Sequence, residues 1–360
     1  MNKQSLFSLR SNKQSFSTNE QASSSNKTKA SSSNKKILVT GGTGFIGSAL
    51  VRALVRRGET VKVLDNQSRG VLRRLKDVKN EFEFIKGDIR DLKAVIKASN
   101  NVDSIIHFAY INGTEFFYSI PEVVLEVGVK GMMNVLDGCM KNNVSELILM
   151  SSSEVYQSPP MIPTPEKVSL IVPDPLNPRY SYGGGKIISE LLTINYGRKY
   201  FKRSLIVRPH NIYGPDMGWE HVIPQLTLRI KRLIEDKNSS KVIALPIQGS
   251  GEETRAFIYI DDFINGLLTV LDKGKHLEIY NIGTMEEISI GQLAQEIGRC
   301  FNKKIKLVPG ELAKGSTLRR CPDTTKLKNL GFKPQFSLIK GLQKTVKWYN
   351  TFFHLQPTND

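Results

Sequence analysis

The stretch that most restricts the fold of this chain is Ile37-Leu38-Val39-Thr40-Gly41-Gly42-Thr43-Gly44-Phe45-Ile46-Gly47. Its apolar start reads as a buried strand, its glycines as a tight turn, and from Ala49 the apolar residues recur with helical spacing. Gly41, Gly44 and Gly47 let the backbone turn sharply and approach a pyrophosphate, which the N-terminus of the following helix can hold. A glycine motif alone is a weak signal. Here a second strand, Val61-Lys62-Val63-Leu64, ends in Asp65, an acid able to accept both adenosine ribose hydroxyls and to repel a 2′-phosphate. The pattern predicts a bound dinucleotide, NAD rather than NADP, with nearby Arg69 the residue that speaks for the other choice.

Strand-like runs alternate with helical stretches beyond that point, the signature of a parallel sheet with helices on both faces. Phe82-Glu83-Phe84-Ile85 leads into Gly87-Asp88-Ile89, and Ser104-Ile105-Ile106-His107-Phe108 into Ala109-Tyr110. Glu146-Leu147-Ile148-Leu149-Met150 leads into Ser151-Ser152-Ser153-Glu154, and Ser204-Leu205-Ile206-Val207 into Arg208-Pro209. Ligands on such sheets collect outside the carboxyl ends of the strands. Asp65, Asp88, Ala109 and Ser152 are therefore expected to share one crevice.

Tyr182-Gly183-Gly184-Gly185-Lys186 sets a phenol and an ammonium one helical turn apart on one face. Tyrosine titrates near ~10 when unperturbed, and a neighbouring cation favours its phenolate, which is what a tyrosine base needs near neutral pH. The spacing is common by itself. It gains force from the glycine loop upstream and from the serines between the two.

The formal charge is +17 over 360 residues, but residues 1–36 hold seven Lys or Arg against Glu20 alone. Residues 1–35, rich in Ser, Asn, Lys and Gln, are expected to be a disordered tail rather than a cleaved targeting peptide. The basic remainder suits phosphate-bearing ligands. With no aromatic-interleaved basic run and no zinc-finger spacing, nucleic acid is not the expected partner. Cys139, Cys300 and Cys321 are few and scattered, which points to a reducing compartment, taken as the cytoplasm, without a disulfide framework. No run approaches ~18 apolar residues, so no membrane span is expected. His107 and His210 lack metal-ligand spacing, and no metal is expected. The helical stretches around 123–140 and 187–200 are apolar over more than one stripe, more than a helix wet on one side requires.

Taken in order, several pieces amount to a resemblance. They are Thr40 to Gly47, Gly87-Asp88-Ile89-Arg90-Asp91, His107-Phe108-Ala109, Ser151 to Tyr156, and the Tyr182/Lys186 pair. Further on come Arg208 to Pro215, Gly249-Ser250-Gly251 before Arg255-Ala256-Phe257, Asp261-Asp262, and Arg320-Cys321-Pro322-Asp323. From about Lys36 to Phe353 the chain resembles an extended short-chain dehydrogenase/reductase of the nucleotide-sugar epimerase/dehydratase group. The resemblance implies an α/β fold, a Rossmann doubly wound parallel sheet with a smaller C-terminal substrate-binding domain. Residues 36–208 and about 254–282 would bind NAD, while 209–253 and 283–353 would cap a nucleotide-diphosphate sugar, and 354–360 would form a tail. It also implies a homodimer, paired through the two apolar helices.

Residue by residue, the resemblance implies that Gly41, Gly44, Phe45, Ile46, Gly47 and Ala109 line the cofactor. Asp65 would take the adenosine ribose, Asp88 and Ile89 the adenine, and Lys186 the nicotinamide ribose beside Tyr182. Asn211 would lie near the sugar or its diphosphate, and Arg255 and Arg320 would clamp the diphosphate, for which a guanidinium fork is well matched. Tyr182 as phenolate would take a proton from a sugar hydroxyl, with Ser152 hydrogen-bonded to the same oxygen, while hydride passes to the nicotinamide.

A transient 4-keto sugar permits 4-epimerisation, elimination of the C6 hydroxyl, or loss of carbon dioxide from a uronate. The catalytic set continues through Ser153 and Glu154. In the dehydratase branch the matching pair is Asp-Glu, and a serine in the first place is a poor general acid. Ser-Glu looks like UDP-glucuronate decarboxylases and also occurs in epimerase-like members. The expected activity is a 4-epimerase of a nucleotide-linked hexose, with decarboxylation or 4,6-dehydration as alternatives and a non-catalytic NAD-binding protein as a distant one. One departure stands out: where the family often has Asn-Val-x-Gly, this chain has Gly128-Val129-Lys130-Gly131.

Overall fold

The computed structural model describes residues 34–236, 241–312 and 317–356. The expected N-terminal tail lies outside the described residues up to residue 33, as does the end of the C-terminal tail, 357–360. The first half of the sheet comes from β1 (Lys36–Thr40), β2 (Thr60–Asp65) and β3 (Phe82–Lys86), with α1 (Phe45–Arg56) between the first two. After α2 (Leu92–Ser99) come β4 (Ser104–His107), α3 (Thr114–Ser119), α4 (Pro121–Leu125), α5 (Gly131–Lys141) and β5 (Glu146–Met150). Then follow α6 (Tyr180–Tyr200), β6 (Arg203–Pro209), β7 (Ile212–Tyr213), α7 (Val222–Asp236) and β8 (Val242–Pro246). Next are β9 (Thr254–Ala256), β10 (Ile258–Tyr259), α8 (Ile260–Lys273), β11 (Glu278–Ile282) and β12 (Glu287–Ser289). The chain closes with α9 (Ile290–Cys300), β13 (Lys304–Val308), β14 (Arg319–Arg320), α10 (Thr325–Asn329) and α11 (Leu338–Thr351).

Seven strands form one sheet in the order β11-β6-β5-β4-β1-β2-β3, and every neighbouring pair is parallel. The apolar runs explain why both faces are covered. Side chains alternate along a strand, so Leu38, Ile105, Leu147 and Ile206 enter the core on one face. Their neighbours Val39, Ile106, Ile148 and Val207 enter the core on the other. Strand order reverses between β1 and β4, and a crevice opens at such a switch point. The expected doubly wound α/β architecture is the observed one.

The apolar stretch 123–140 is helical as expected, and its α4 and α5 are joined by a π-helical turn at Glu126–Lys130. One local expectation needs correction. The region after Tyr213 reads as lacking strand–helix alternation, yet α7 precedes β8 and α9 precedes β13, and those two strands pair in parallel. β8 is uniformly apolar in sequence, whereas its Ile243 and Leu245 are buried and Val242 and Ala244 exposed. A short edge strand of this kind carries no readable period. Among the described residues no helix is long and apolar enough to cross a membrane.

Candidate active site

The glycine loop between β1 and α1 is held by close backbone approach. Gly41 has φ +71°, and a Cβ there would lie 2.8 Å from the Ala109 nitrogen; at Gly47 it would lie 2.2 Å from the Gly41 carbonyl oxygen. α1 then starts with no side-chain cap and no acid in its first turn. Its first N–H groups are left for an anion, and the loop admits one closely. These features fit a dinucleotide pyrophosphate.

A cleft of about 380 Å³ runs over this loop. Gly41, Gly44, Phe45, Ile46, Gly47, Asp65, Asp88, Ile89 and Ala109 all line it, so the structure brings together every residue expected there for the cofactor's adenosine half. The Asp65 carboxylate accepts from the Thr43 N–H at 2.9 Å and the Gln67 N–H at 2.7 Å, which fixes its direction. Arg69 donates to the Asn112 carbonyl and reaches Glu220 at 3.4 Å. It is occupied elsewhere, which favours the ribose reading of Asp65. Asp88 is held down to about 2 by hydrogen bonds from Arg90, with Asn66 adding to them.

A second cleft of about 270 Å³ adjoins the first and shares Phe45, Ile46, Phe108, Tyr110, Asn112 and His221 with it. Ser152, Ser153, Glu154, Tyr182, Lys186, Asn211 and Arg320 line it. β5 delivers the serines at its carboxyl end, where the Ser152 hydroxyl accepts from the Glu154 N–H at 3.1 Å and starts a short helical turn. α6 delivers Tyr182 and, one turn on, Lys186. Asn211 donates to the Ala256 carbonyl at 2.8 Å. Arg255 does not line the cleft; its guanidinium donates to the carbonyls of Thr254, Thr317 and Leu318. Three of its N–H groups are thus taken by the backbone, which leaves fewer for the expected clamp.

The electrostatics differ from the sequence expectation at two places. Burial raises the Tyr182 phenol well above its ordinary value, and Ser152 only partly opposes that. Lys186 was expected to favour the phenolate, but its ammonium donates to the Met150 carbonyl at 2.7 Å and stands 5.8 Å from the Tyr182 ring centre. Burial pushes Lys186 itself down to about 7, against the pull of Glu190. At Tyr182 desolvation outweighs both the Ser152 hydrogen bond and the charge of Arg69.

The second place is Arg320, expected on a diphosphate but bonded here to the Glu154 carboxylate at 2.5 Å. Burial pushes that carboxyl up, yet Arg320, backed by Arg179 and Arg255, outweighs it and holds Glu154 below its ordinary range.

Behind the cleft, Glu190 receives Arg208 at 2.6 and 2.8 Å and the Ser151 hydroxyl at 2.5 Å. Arg208 also donates to Tyr156, which donates to Asn281, so Tyr156 belongs to the supporting wall. His107 meets the Thr40 hydroxyl at 2.7 Å and His210 meets Asn281 at 3.2 Å. Among the described residues no cluster of His, Cys, Asp or Glu could hold a metal. Sequence reasoning missed Tyr110 and His221 in the lining. Tyr110 could have been found, since it follows Ala109 at a strand end. His221 lies outside any strand-end signal.

The profile described as "NAD dependent epimerase/dehydratase family" matches residues 37–283. The chain belongs to that family. It is 30% identical over 331 residues to the UDP-N-acetyl-alpha-D-glucosaminuronate decarboxylase of Bacillus cytotoxicus, covering 88% of this chain and 98% of that protein. It is equally 30% identical to the putative UDP-glucose 4-epimerase of Methanocaldococcus jannaschii, covering 87% of this chain and 97% of that protein. Among solved structures it is similar to DesIV, the dTDP-glucose 4,6-dehydratase of Streptomyces venezuelae with NAD and TYD bound. That match has a TM-score of 0.76 and 30% identity, covering 88% of this chain and 97% of that one.

Membership in this NAD-dependent family supplies the cofactor that the glycine loop and the uncapped α1 fit. It also bounds the chemistry to that of nucleotide-sugar epimerases, dehydratases and decarboxylases.

Proposed function

We propose that this enzyme is a 4-epimerase of a nucleotide-diphosphate hexose. The observation that carries this reading is the state of the carboxylate beside Ser152. Glu154 is tied to Arg320 and held ionised, so it can neither donate a proton to departing water nor act as a strong base at C5. Ser153 is no better as an acid. Dehydration therefore lacks its acid, whereas epimerisation at C4 needs only one proton acceptor and its return path. Tyr182 would be that acceptor once the positive charge of a bound oxidised nicotinamide offsets its burial, Ser152 would hold the same sugar oxygen, and Lys186 would add to that charge when protonated. NAD, held by the glycine loop and Asp65, would supply a reversible hydride acceptor for C4. Phe45, Ile46 and Phe108 line both clefts and give the surface they share an apolar character.

Residues 36–208 and 254–282 would carry NAD, and 209–253 with 283–353 the nucleotide sugar, with Asn211 and Arg320 toward the sugar and its diphosphate. A second copy would pack on α6 and the 121–141 segment, where Leu125, Ile188 and Leu191 are exposed. The free thiols of Cys139, Cys300 and Cys321 suit a cytoplasmic location.

A second reading, decarboxylation of a uronate, is favoured by Arg320 alone. A substrate carboxylate could replace Glu154 as the partner of that guanidinium. A carboxylate β to a 4-keto group leaves as carbon dioxide without a protein base at C5.

The deciding experiment incubates the enzyme with UDP-, GDP-, CDP- and dTDP-sugars, uronates included, and follows mass and proton spectra. Unchanged mass with altered ring couplings is the expected result. Loss of carbon dioxide selects the second reading, and loss of water overturns both.

A further inference from the structure

Tyr110 has no part in the chemistry above, yet two helical segments are cut back to bare backbone around it. A Cβ on Gly128 would lie 2.0 Å from the Tyr110 hydroxyl oxygen, and one on Gly185 would lie 2.2 Å from it. Glycine inside a helix is unfavourable relative to alanine, and α6 carries three in succession at 183–185. The space that Gly128 and Gly185 leave is filled by one phenol. Its hydroxyl is buried and has no hydrogen-bond partner among the described residues, so its packing and its ring face are what it offers the site.

That ring lies against both reaction-end side chains. The Lys186 ammonium sits 3.9 Å from the centre of its face. The ring meets Tyr182 in a T-shaped contact, with centroids 5.1 Å apart and planes at 85°, while Phe117 stacks on Tyr182 at 4.9 Å and 17°. Besides the Tyr110 face, the Lys186 ammonium has the Met150 carbonyl, to which it donates at 2.7 Å, and, among the described residues, no carboxylate of its own. Glu190, on the same helix, is engaged by Arg208 and Ser151. His107 on β4 is buried and kept neutral, in part by Lys186 itself, and the Tyr182 phenol is protonated in the protein alone. An electron-rich face is attractive to an ammonium deprived of water.

We propose that Tyr110 is a positioning residue for the reaction: its face favours the charged form of Lys186 against the effect of burial and holds it in place, its T-shaped contact sets the plane of Tyr182, and Gly128 and Gly185 give it room. The glycine at 128 is then the counterpart of a large residue at 110 and leaves the catalytic pair supported. The inference rests on the roles given to Tyr182 and Lys186 above. Its test needs no substrate, so the two can fail separately.

The test follows the Cε resonance of Lys186, assigned with Lys186→Met, in full-length enzyme made with carbon-labelled lysine, across pH and with NAD added. Four proteins are compared: wild type, Tyr110→Phe, Tyr110→Leu, and protein with trifluorophenylalanine at position 110. The fluorinated ring keeps the shape but loses the electron-rich face, so it remains informative if Tyr110→Leu does not fold. The titration midpoint should stay near wild type in Tyr110→Phe. It should fall by about one pH unit with the fluorinated ring and in Tyr110→Leu. Once a substrate is in hand, the alkaline limb of turnover should fall with it. A wild-type midpoint with the fluorinated ring would overturn the proposal, as would an equal fall in Tyr110→Phe, because a packing role alone does not follow ring electrostatics.

Discussion

At the cofactor end of the crevice, Gly41 and Gly47 set the shape with backbone alone, and the charges of Asp88, Arg90 and Glu126 face water as an ion-pair chain. At the reaction end the arrangement is inverted. Lys186 and the Glu190–Arg208 pair lie deep, with side chains at Glu190 and Arg208 only 3% and 2% exposed, and the Glu154–Arg320 pair is partly buried beside them. Charges in water can be exchanged at small cost, whereas charges out of water depend on every partner they have. The contrast teaches that binding at one end relies on shape, and chemistry at the other relies on a set of buried charges that have to be kept intact together.

The sharpest way to break that contrast is to remove the one group meant to move a proton. Tyr182→Phe should leave NAD bound, since the glycine loop is untouched, while turnover falls roughly a hundred- to ten-thousandfold. Fluorescence titration of the cofactor beside a turnover assay checks both halves. Near-normal turnover would remove Tyr182 from the chemistry.

Next in size is the supporting pair. Arg208→Met leaves Glu190 ionised and buried without its main partner, a change that costs about 3–5 kcal/mol in comparable buried pairs. Denaturant unfolding should show the loss, and Glu190→Gln combined with Arg208→Met should recover part of it. A midpoint unchanged in the single variant would mean the pair is not the support described here.

A smaller effect separates the ends by pH. Lys186 in the folded protein lies at about 7, below its ordinary 10.5. Between those values the unfolded chain holds a proton that the folded one does not, so stability rises with pH across that window. The melting temperature of the protein without ligand should therefore climb from about pH 7 toward pH 10. In Lys186→Met that climb should disappear; its persistence would locate the titrating group elsewhere.

How much of this was legible beforehand follows from the same contrast. The cofactor end is written in local terms: Gly41 to Gly47 needs close backbone approach, Asp65 ends a strand, and alternating Leu38 and Val39 show a strand buried on both faces. Tyr182 and Lys186 were legible too, because a helix places positions four apart together. Nothing local says that Arg320 will find Glu154 across 166 positions, or that backbone carbonyls will occupy Arg255. The π-helical turn at Glu126–Lys130 and the phenol lodged between Gly128 and Gly185 are likewise matters of tertiary packing, which an apolar pattern that reads as plain helix does not specify.

The smallest expected effect is at the outer end. Arg90 hydrogen-bonds Asp88 through two nitrogens and pairs with Glu126 at 2.7 Å. Arg90 is 32% exposed and Asp88 26%, so solvent screens what they gain from each other. Arg90→Ala should lower stability by at most about 1 kcal/mol at low ionic strength. The difference should shrink in salt, because the screening length falls to about 3 Å at 1 M. NAD affinity should move little, since Asp88 also accepts from Asn66 at 2.9 Å and stays aimed at the cleft. The measurement is a pair of melting curves and NAD titrations at low and high salt. A large, salt-independent loss of NAD binding would show that this end also depends on a fixed charge partner, and the division between a cofactor end built from shape and a reaction end built from charge would not hold.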